Sequence, residues 1–349
     1  MSRLEISGVH VAYGKGRRAA EIVAGVTLAV RPGQIVGLVG ESGCGKSTLA
    51  RAAVGLLRPS AGTVTFGGRP VTPLGHRARH VSLLPLQMVF QNPYACLSPR
   101  RRIGDQIGDG FRDDDGGSGG SGSRSHSRSR RAAELLELVG LPPSLRERYP
   151  HQMSGGQRQR AALAAALAPS PEVLVLDEPF ASLDVSGQAQ LARLLTDLSG
   201  ELGVGMLLIS HDLGIVKQIA DELYVMYLGT IVEHGPTLEL WRSARHPYTR
   251  ALIAAIPHAD GSGRIPEALA GDVGDPRTPP PGCRFHPRCP YSVEECETRP
   301  PPLTEVLPGR AAACWRHEDV AASADSPTTE EKPAGPSTGP ITILKKEDR

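Results

Sequence analysis

The chain has 349 residues, a formal net charge of +2, 40% hydrophobic and 22% charged residues. That balance excludes a broad basic face for nucleic acid and leaves enough apolar content for one large domain plus an appendage. No apolar run approaches the ~20 residues of a membrane helix, and the opening "MSRLEISGVHVAYG" lacks a signal-peptide core, so a chain kept in the cytosol is expected. In chain order, "LEISGVHVAY" and "VAGVTLAV" read as strands around a Gly/Arg-rich turn, and "GQIVGLVG" as a short buried strand. "KSTLARAAVGLL" has helical spacing and "GTVTFGGRPV" is β-like again. "FRDDDGGSGGSGSRSHSRSRR" is low-complexity and reads as a disordered surface loop. "AAELLELVGL" returns to helical periodicity with Gly140 as a stop. "EVLVLDEP" and "GVGMLLISHD" are buried strands, each followed by a helical stretch. Strands alternating with helices give an α/β fold with a mostly parallel sheet. From about Pro257 the chain is Pro-rich, and after His317 it has too little apolar content to fold alone.

"GESGCGKST" fits G-x-x-x-x-G-K-[ST] between a predicted strand and a predicted helix, the context this phosphate-binding loop requires. Gly40, Glu41, Ser42, Gly43, Cys44, Gly45, Lys46, Ser47 and Thr48 form the candidate cradle. Gly43 and Gly45 let backbone N–H groups turn toward phosphate oxygens, Lys46 adds a point charge, and Ser47 a hydroxyl for Mg²⁺. Cys44 reads as a small packed residue. In "VLVLDEP" Asp177 ends a strand, where a carboxylate can meet Mg²⁺. Glu178 follows and can act as general base on a water.

"MSGGQRQRAALAAALA" supplies a second helix start that can meet a phosphate, with Ser154 as N-cap and two glycines ahead of an Ala/Arg/Gln run. One nucleotide cannot easily use both helix starts within one subunit; two subunits, each offering "SGGQ" to the other's ATP, solve this economically. With these motifs in order, the chain resembles the ATP-binding subunits of ABC transporters. The resemblance implies a P-loop cassette with a parallel core, an antiparallel β subdomain and a helical subdomain, bound to ATP and Mg²⁺. It implies adenine stacking by Tyr13 and a Mg²⁺-touching, partner-sensing role for Gln91 in "MVFQNPYACLSPR". It also implies signature residues Ser154, Gly155, Gly156 and Gln157, a crossing loop Ser182–Leu183–Asp184, and γ-phosphate contact by His211. Met153, Ala165 and Cys96 depart from the family pattern without removing a catalytic group.

"HPYTRALIAAIP" with the cysteine stretch "GCRFHPRCPYSVEEC" resembles the oligopeptide/dipeptide importers, a group that includes nickel and glutathione systems. The implied division is a nucleotide-binding domain at 1–256, a Cys-rich extension at 257–317 and a disordered tail at 318–349. The helical subdomain spans about 92–165, with the low-complexity insert at 113–131. Cys283, Cys289, Cys296 and Cys314 are spaced C-x5-C-x6-C-x17-C. The spacing lacks the close pairs of structural zinc, and disulfides conflict with a cytosolic ATPase. The resemblance favours a [4Fe–4S] cluster, with Zn²⁺ the alternative. Such a staple would hold a small unit separate from the phosphate loop. The implied function is ATP hydrolysis driving peptide import at the cytoplasmic face of the cell membrane. Implied partners are a second ATPase subunit, two integral membrane permeases and, indirectly, an extracytoplasmic binding protein, without nucleic acid. Nickel or glutathione uptake, export of a peptide-like compound, and a soluble ABC ATPase acting on ribosomes or DNA are the rival readings.

Overall fold

A computed structural model describes residues 2–14, 20–74, 79–92, 96–111, 121–256, 271 and 274–325. β1 (Leu4–Tyr13) and β2 (Ala20–Val30) form an antiparallel ladder, Leu4 opposite Val30, and the expected strands are in place. β3 (Ile35–Val39) leads through the phosphate loop into α1 (Lys46–Ala53). β4 (Ala61–Phe66) and β5 (Arg69–Pro70) complete a four-stranded antiparallel sheet in the order β2-β1-β4-β5. β6 (Leu86–Val89), α2 (Ile103–Gly108), α3 (Ser121–Leu138) and α4 (Gly155–Leu167) follow. Next come β7 (Val173–Asp177), α5 (Val185–Leu202), β8 (Gly205–Ser210), α6 (Leu213–Ile219), β9 (Glu222–Tyr227), β10 (Thr230–Pro236), α7 (Thr237–Arg242) and α8 (Pro247–Ala254). The remaining elements are α9 (Glu294–Thr298), β11 (Thr304–Leu307), β12 (Arg310–Ala312) and α10 (His317–Asp325).

The second sheet has eight strands in the order β11-β12-β10-β9-β3-β8-β7-β6. β9, β3, β8, β7 and β6 run parallel, and β10, β12 and β11 add an antiparallel edge. Every residue of β3, β7 and β8 is buried, as strands covered on both faces must be. The two-residue pleat divides them. Val173, Val175, Leu207 and Ile209 pack with the antiparallel sheet, while Leu174, Leu176, Met206 and Leu208 face the helices.

Two expectations are corrected. The Ser/Arg half of the low-complexity stretch is not loop: α3 begins at Ser121 and runs on into the predicted helix. Ala132 and Leu136 dock that helix in the core, and once one segment is fixed, extending it costs little per residue. Gly140 does end it, at φ 71°, with Leu141 N–H bonding Leu136 C=O. The Gly-rich half, 112–120, lies outside the described residues. The tail expected to be disordered from 318 instead opens with α10: Val320 is fully buried, and its carbonyl accepts from Arg250 Nη1 at 2.6 Å. Residues 326–349 lie outside the described set. Among the described residues no helix is long and apolar enough to cross a membrane.

Candidate nucleotide site

Gly40 and Gly45 bend the phosphate loop through φ 152° and 108°. A Cβ on Gly40 would lie 2.1 Å from Met226 O, so β9 and the loop touch backbone to backbone. Lys46, 4% exposed, points back into the loop, its Nζ donating to Gly40 O at 2.7 Å and Glu41 O at 2.9 Å. Cys44 is buried beneath it, and burial pushes the thiol's pKa up. Ser47 Oγ donates to Asp177 Oδ1 at 2.8 Å, joining the start of α1 to the end of β7. Burial raises the Asp177 carboxyl above the usual range. The Ser47 hydroxyl and the charges of Arg51 and Lys46 pull it back. This paired hydroxyl and carboxylate, both hard oxygen donors beside an anion loop, fit a Mg²⁺ ion.

Glu178 has φ 50°, an uncommon conformation for a residue with a side chain. Its N–H is anchored on Ile209 O at 2.9 Å. Its carboxylate accepts from Gln91 Nε2 at 2.7 Å and lies 3.4 Å from His211 Nδ1. Gln91, Glu178, Lys46, Ser47 and Thr48 line one open cleft of ≈ 250 Å³. Tyr13 stands at the same end of the molecule, 43% exposed, its hydroxyl 3.5 Å from Thr48 Oγ1.

Gln91 and Glu178 line the cleft with the phosphate loop, Asp177 joins it through Ser47 and His211 through Glu178, and Ser154–Gln157 are not among the residues lining it. Ser154 N-caps α4 with a reciprocal pair: its Oγ accepts from Gln157 N at 3.2 Å, and Gln157 Oε1 accepts from Ser154 N at 3.0 Å. Asp184 caps α5 through Gly187 N at 2.7 Å. Next to it Val185 is 82% exposed, an apolar side chain left open beside the crossing loop.

All six cysteines are free thiols. Cys283 N donates to Cys296 O at 2.7 Å, closing a turn. Burial pushes Cys289 up to about 11 and Cys314 up to about 12. Among the described residues, however, no three His, Cys, Asp or Glu side chains are arranged to hold a metal ion. Four thiols suit a cluster as donors; their placement here does not form its cage.

The extension is not a separate unit. β12 pairs with β10, Glu233 opposite Ala312. Two residues near the phosphate loop had no reading from sequence as site residues: Tyr248 hydroxyl accepts Glu41 N–H at 2.8 Å, and Arg288 grips the Glu41 carboxylate. "HPYTRALIAAIP" and "GCRFHPRCPYSVEEC" are visible as motifs. No spacing rule connects them to a residue more than 200 positions earlier.

Two family descriptions match the chain: "ABC transporter" over residues 23–181 and "Oligopeptide/dipeptide transporter, C-terminal region" over 232–296. A protein of Brucella ovis named as a peptide import ATP-binding protein is 42% identical over 314 residues, covering 90% of this chain and 97% of its own. A Brucella abortus protein named likewise is 45% identical over 303 residues, covering 86% and 87%. Among solved structures, a dimeric ATP-binding cassette in a post-hydrolysis state with ADP and Pi superposes with TM-score 0.57 and 25% identity, over 67% of this chain and 98% of that one. The cbiO1 protein of Clostridium perfringens, part of an ABC transporter complex, gives 0.56 and 26%, over 68% and 90%.

Proposed function

The chain belongs to the ABC transporter family, in its oligopeptide/dipeptide branch, and from that premise we propose that it is the ATP-hydrolysing subunit that powers an importer of oligopeptides or dipeptides across the cell membrane. The observation that carries the catalytic reading is the cleft beside the phosphate loop where Gln91 meets Glu178, with Ser47 on its wall bonded to the buried Asp177. The loop N–H groups and Lys46 bind the phosphates of ATP, and Tyr13 stacks on the adenine. Ser47, Asp177 and Gln91 would hold Mg²⁺, which supplies charge neutralisation when bound. Glu178 accepts the proton of the attacking water, held for that task by the Gln91 amide. His211 meets the γ-phosphate. Ser154–Gln157 and Asp184 serve the nucleotide of a second ATPase subunit, and closure of the pair moves separate membrane permeases.

For the extension we propose, on the resemblance of the cysteine stretch to the oligopeptide/dipeptide importers, that Cys283, Cys289, Cys296 and Cys314 close around a [4Fe–4S] cluster when one is supplied, although among the described residues no three such side chains are arranged for a metal in this structure. Its support is that resemblance together with four thiol donors in one short segment. Iron and sulfide analysis of anaerobically purified protein tests it, and stoichiometric zinc without iron would replace the cluster with Zn²⁺.

The catalytic reading is tested by Glu178→Gln, which keeps the side chain's shape and removes the base. Hydrolysis should fall by roughly 10²–10⁴-fold while MgATP still binds and traps a dimer visible by size-exclusion chromatography. Wild-type turnover in this variant would defeat the assignment. Uptake of labelled di- and oligopeptides by cells carrying the chain with its permeases tests the cargo class.

A further inference from the structure

An acidic residue inside an anion-binding loop is electrostatically misplaced, and Glu41 occupies that position. It is held at three points. Its N–H donates to Tyr248 Oη at 2.8 Å, its carbonyl accepts from Lys46 Nζ at 2.9 Å, and its carboxylate receives Arg288 Nη1 and Nη2 at 2.7 and 3.0 Å. The Arg288 side chain is 5% exposed and that of Glu41 18%, so water screens this pair poorly. Arg288 lies in the cysteine turn, immediately before Cys289.

That turn is itself seated on the core. Phe285 is buried against the rings of Tyr227 and Tyr248, at 5.2 and 5.3 Å. Arg284 Nη1 donates to Leu228 O, and one residue on, Gly229 N donates to Cys44 O of the phosphate loop at 2.8 Å. A two-pronged guanidinium fixes both the charge and the direction of the carboxylate it binds. Without it, Glu41 would carry an uncompensated negative charge five positions before Lys46, able to draw the ammonium away and to repel phosphate.

We propose that Arg288 is a positioning residue of the nucleotide site: by clamping Glu41 it cancels the one acid in the phosphate loop, so that the C-terminal extension sets how tightly MgATP is held. This rests on the ATP-site reading above.

The test is a double-mutant cycle on the full chain, with MgATP affinity measured by displacement of a fluorescent ATP analogue and folding by thermal melting without nucleotide. Arg288→Ala should raise the Kd for MgATP about tenfold, and KM should rise by more than kcat falls, because the loss is in ground-state binding. On a Glu41→Gln background the same change should alter Kd by less than about threefold, since no charge remains to be cancelled. Arg288→Lys keeps the charge without the fork and should fall between; if Arg288→Ala does not fold, the lysine variant in the same cycle decides. An unchanged Kd in Arg288→Ala, or an equal loss on both backgrounds, overturns the proposal. Wild-type chain that fails to bind MgATP would instead overturn the ATPase reading, so the two failures are distinguishable.

Discussion

His246 turns a buried imidazole into a pH-dependent brace for the site. It is 1% exposed and caps α8: its Nδ1 accepts Tyr248 N–H at 3.1 Å, while its own backbone N–H donates to Glu233 Oε2 at 2.9 Å. Burial pushes its pKa from 6.5 down to about 3. The folded chain therefore refuses a proton that the unfolded chain takes up below about pH 6.5. With the folded value depressed, the contribution is fully present above 6.5 and is lost as pH falls toward 3. Between pH 8 and pH 5 the loss is RT ln(1 + 10^1.5), about 2 kcal/mol, a large share of a typical 5–15 kcal/mol stability. His246→Asn keeps a side-chain oxygen for the Tyr248 N–H and cannot titrate. Glu233 has the opposite sign, since burial raises its carboxyl, but it is present in both proteins and cancels in the comparison. Urea unfolding at pH 8, 7, 6 and 5 should show wild type losing about 2 kcal/mol relative to His246→Asn over that range, whatever constant offset the smaller side chain introduces. A flat difference, or an NMR titration of the native His246 near 6.5, would refute the reasoning.

Two further substitutions test the packing around the site. Gly40→Ala places a Cβ 2.1 Å from Met226 O at φ 152°, which no side-chain rotation relieves; melting temperature and MgATP binding should both collapse, with a cost of roughly 3 kcal/mol or more. Val320→Asp puts a carboxylate at a fully buried position of α10 and should cost about 3 kcal/mol. Limited proteolysis should then cut near His317 in the variant and spare wild type.

What could be read from sequence was chemistry carried by contiguous residues. The phosphate loop, "VLVLDEP" and "MSGGQ" each encode a local shape, a strand end or a helix start, and in the structure Lys46, Ser47, Thr48 and Glu178 line one cleft, with Asp177 bonded to Ser47 behind it. Buried strands showed for the same reason: β7 and β8 are apolar at every position because both faces are covered. Composition misled where it was asked to decide local structure. A Ser/Arg run looks like solvated loop, yet α3 extends through it because Ala132 and Leu136, further along, fix the helix to the core. The same holds for α10, polar on average but docked by one valine and one arginine–carbonyl bond. The clamp of Arg288 on Glu41 was out of reach for a stronger reason. It joins positions 247 apart, and neither partner's neighbourhood carries a periodicity that points to the other. Its legible trace was the anomaly itself, a carboxylate in a loop built for phosphate. In a folded protein such a charge, shielded from water, must find a cation. Lys46 is already engaged with the Gly40 and Glu41 carbonyls, so the cation had to come from elsewhere in the chain, and the cysteine turn supplies it.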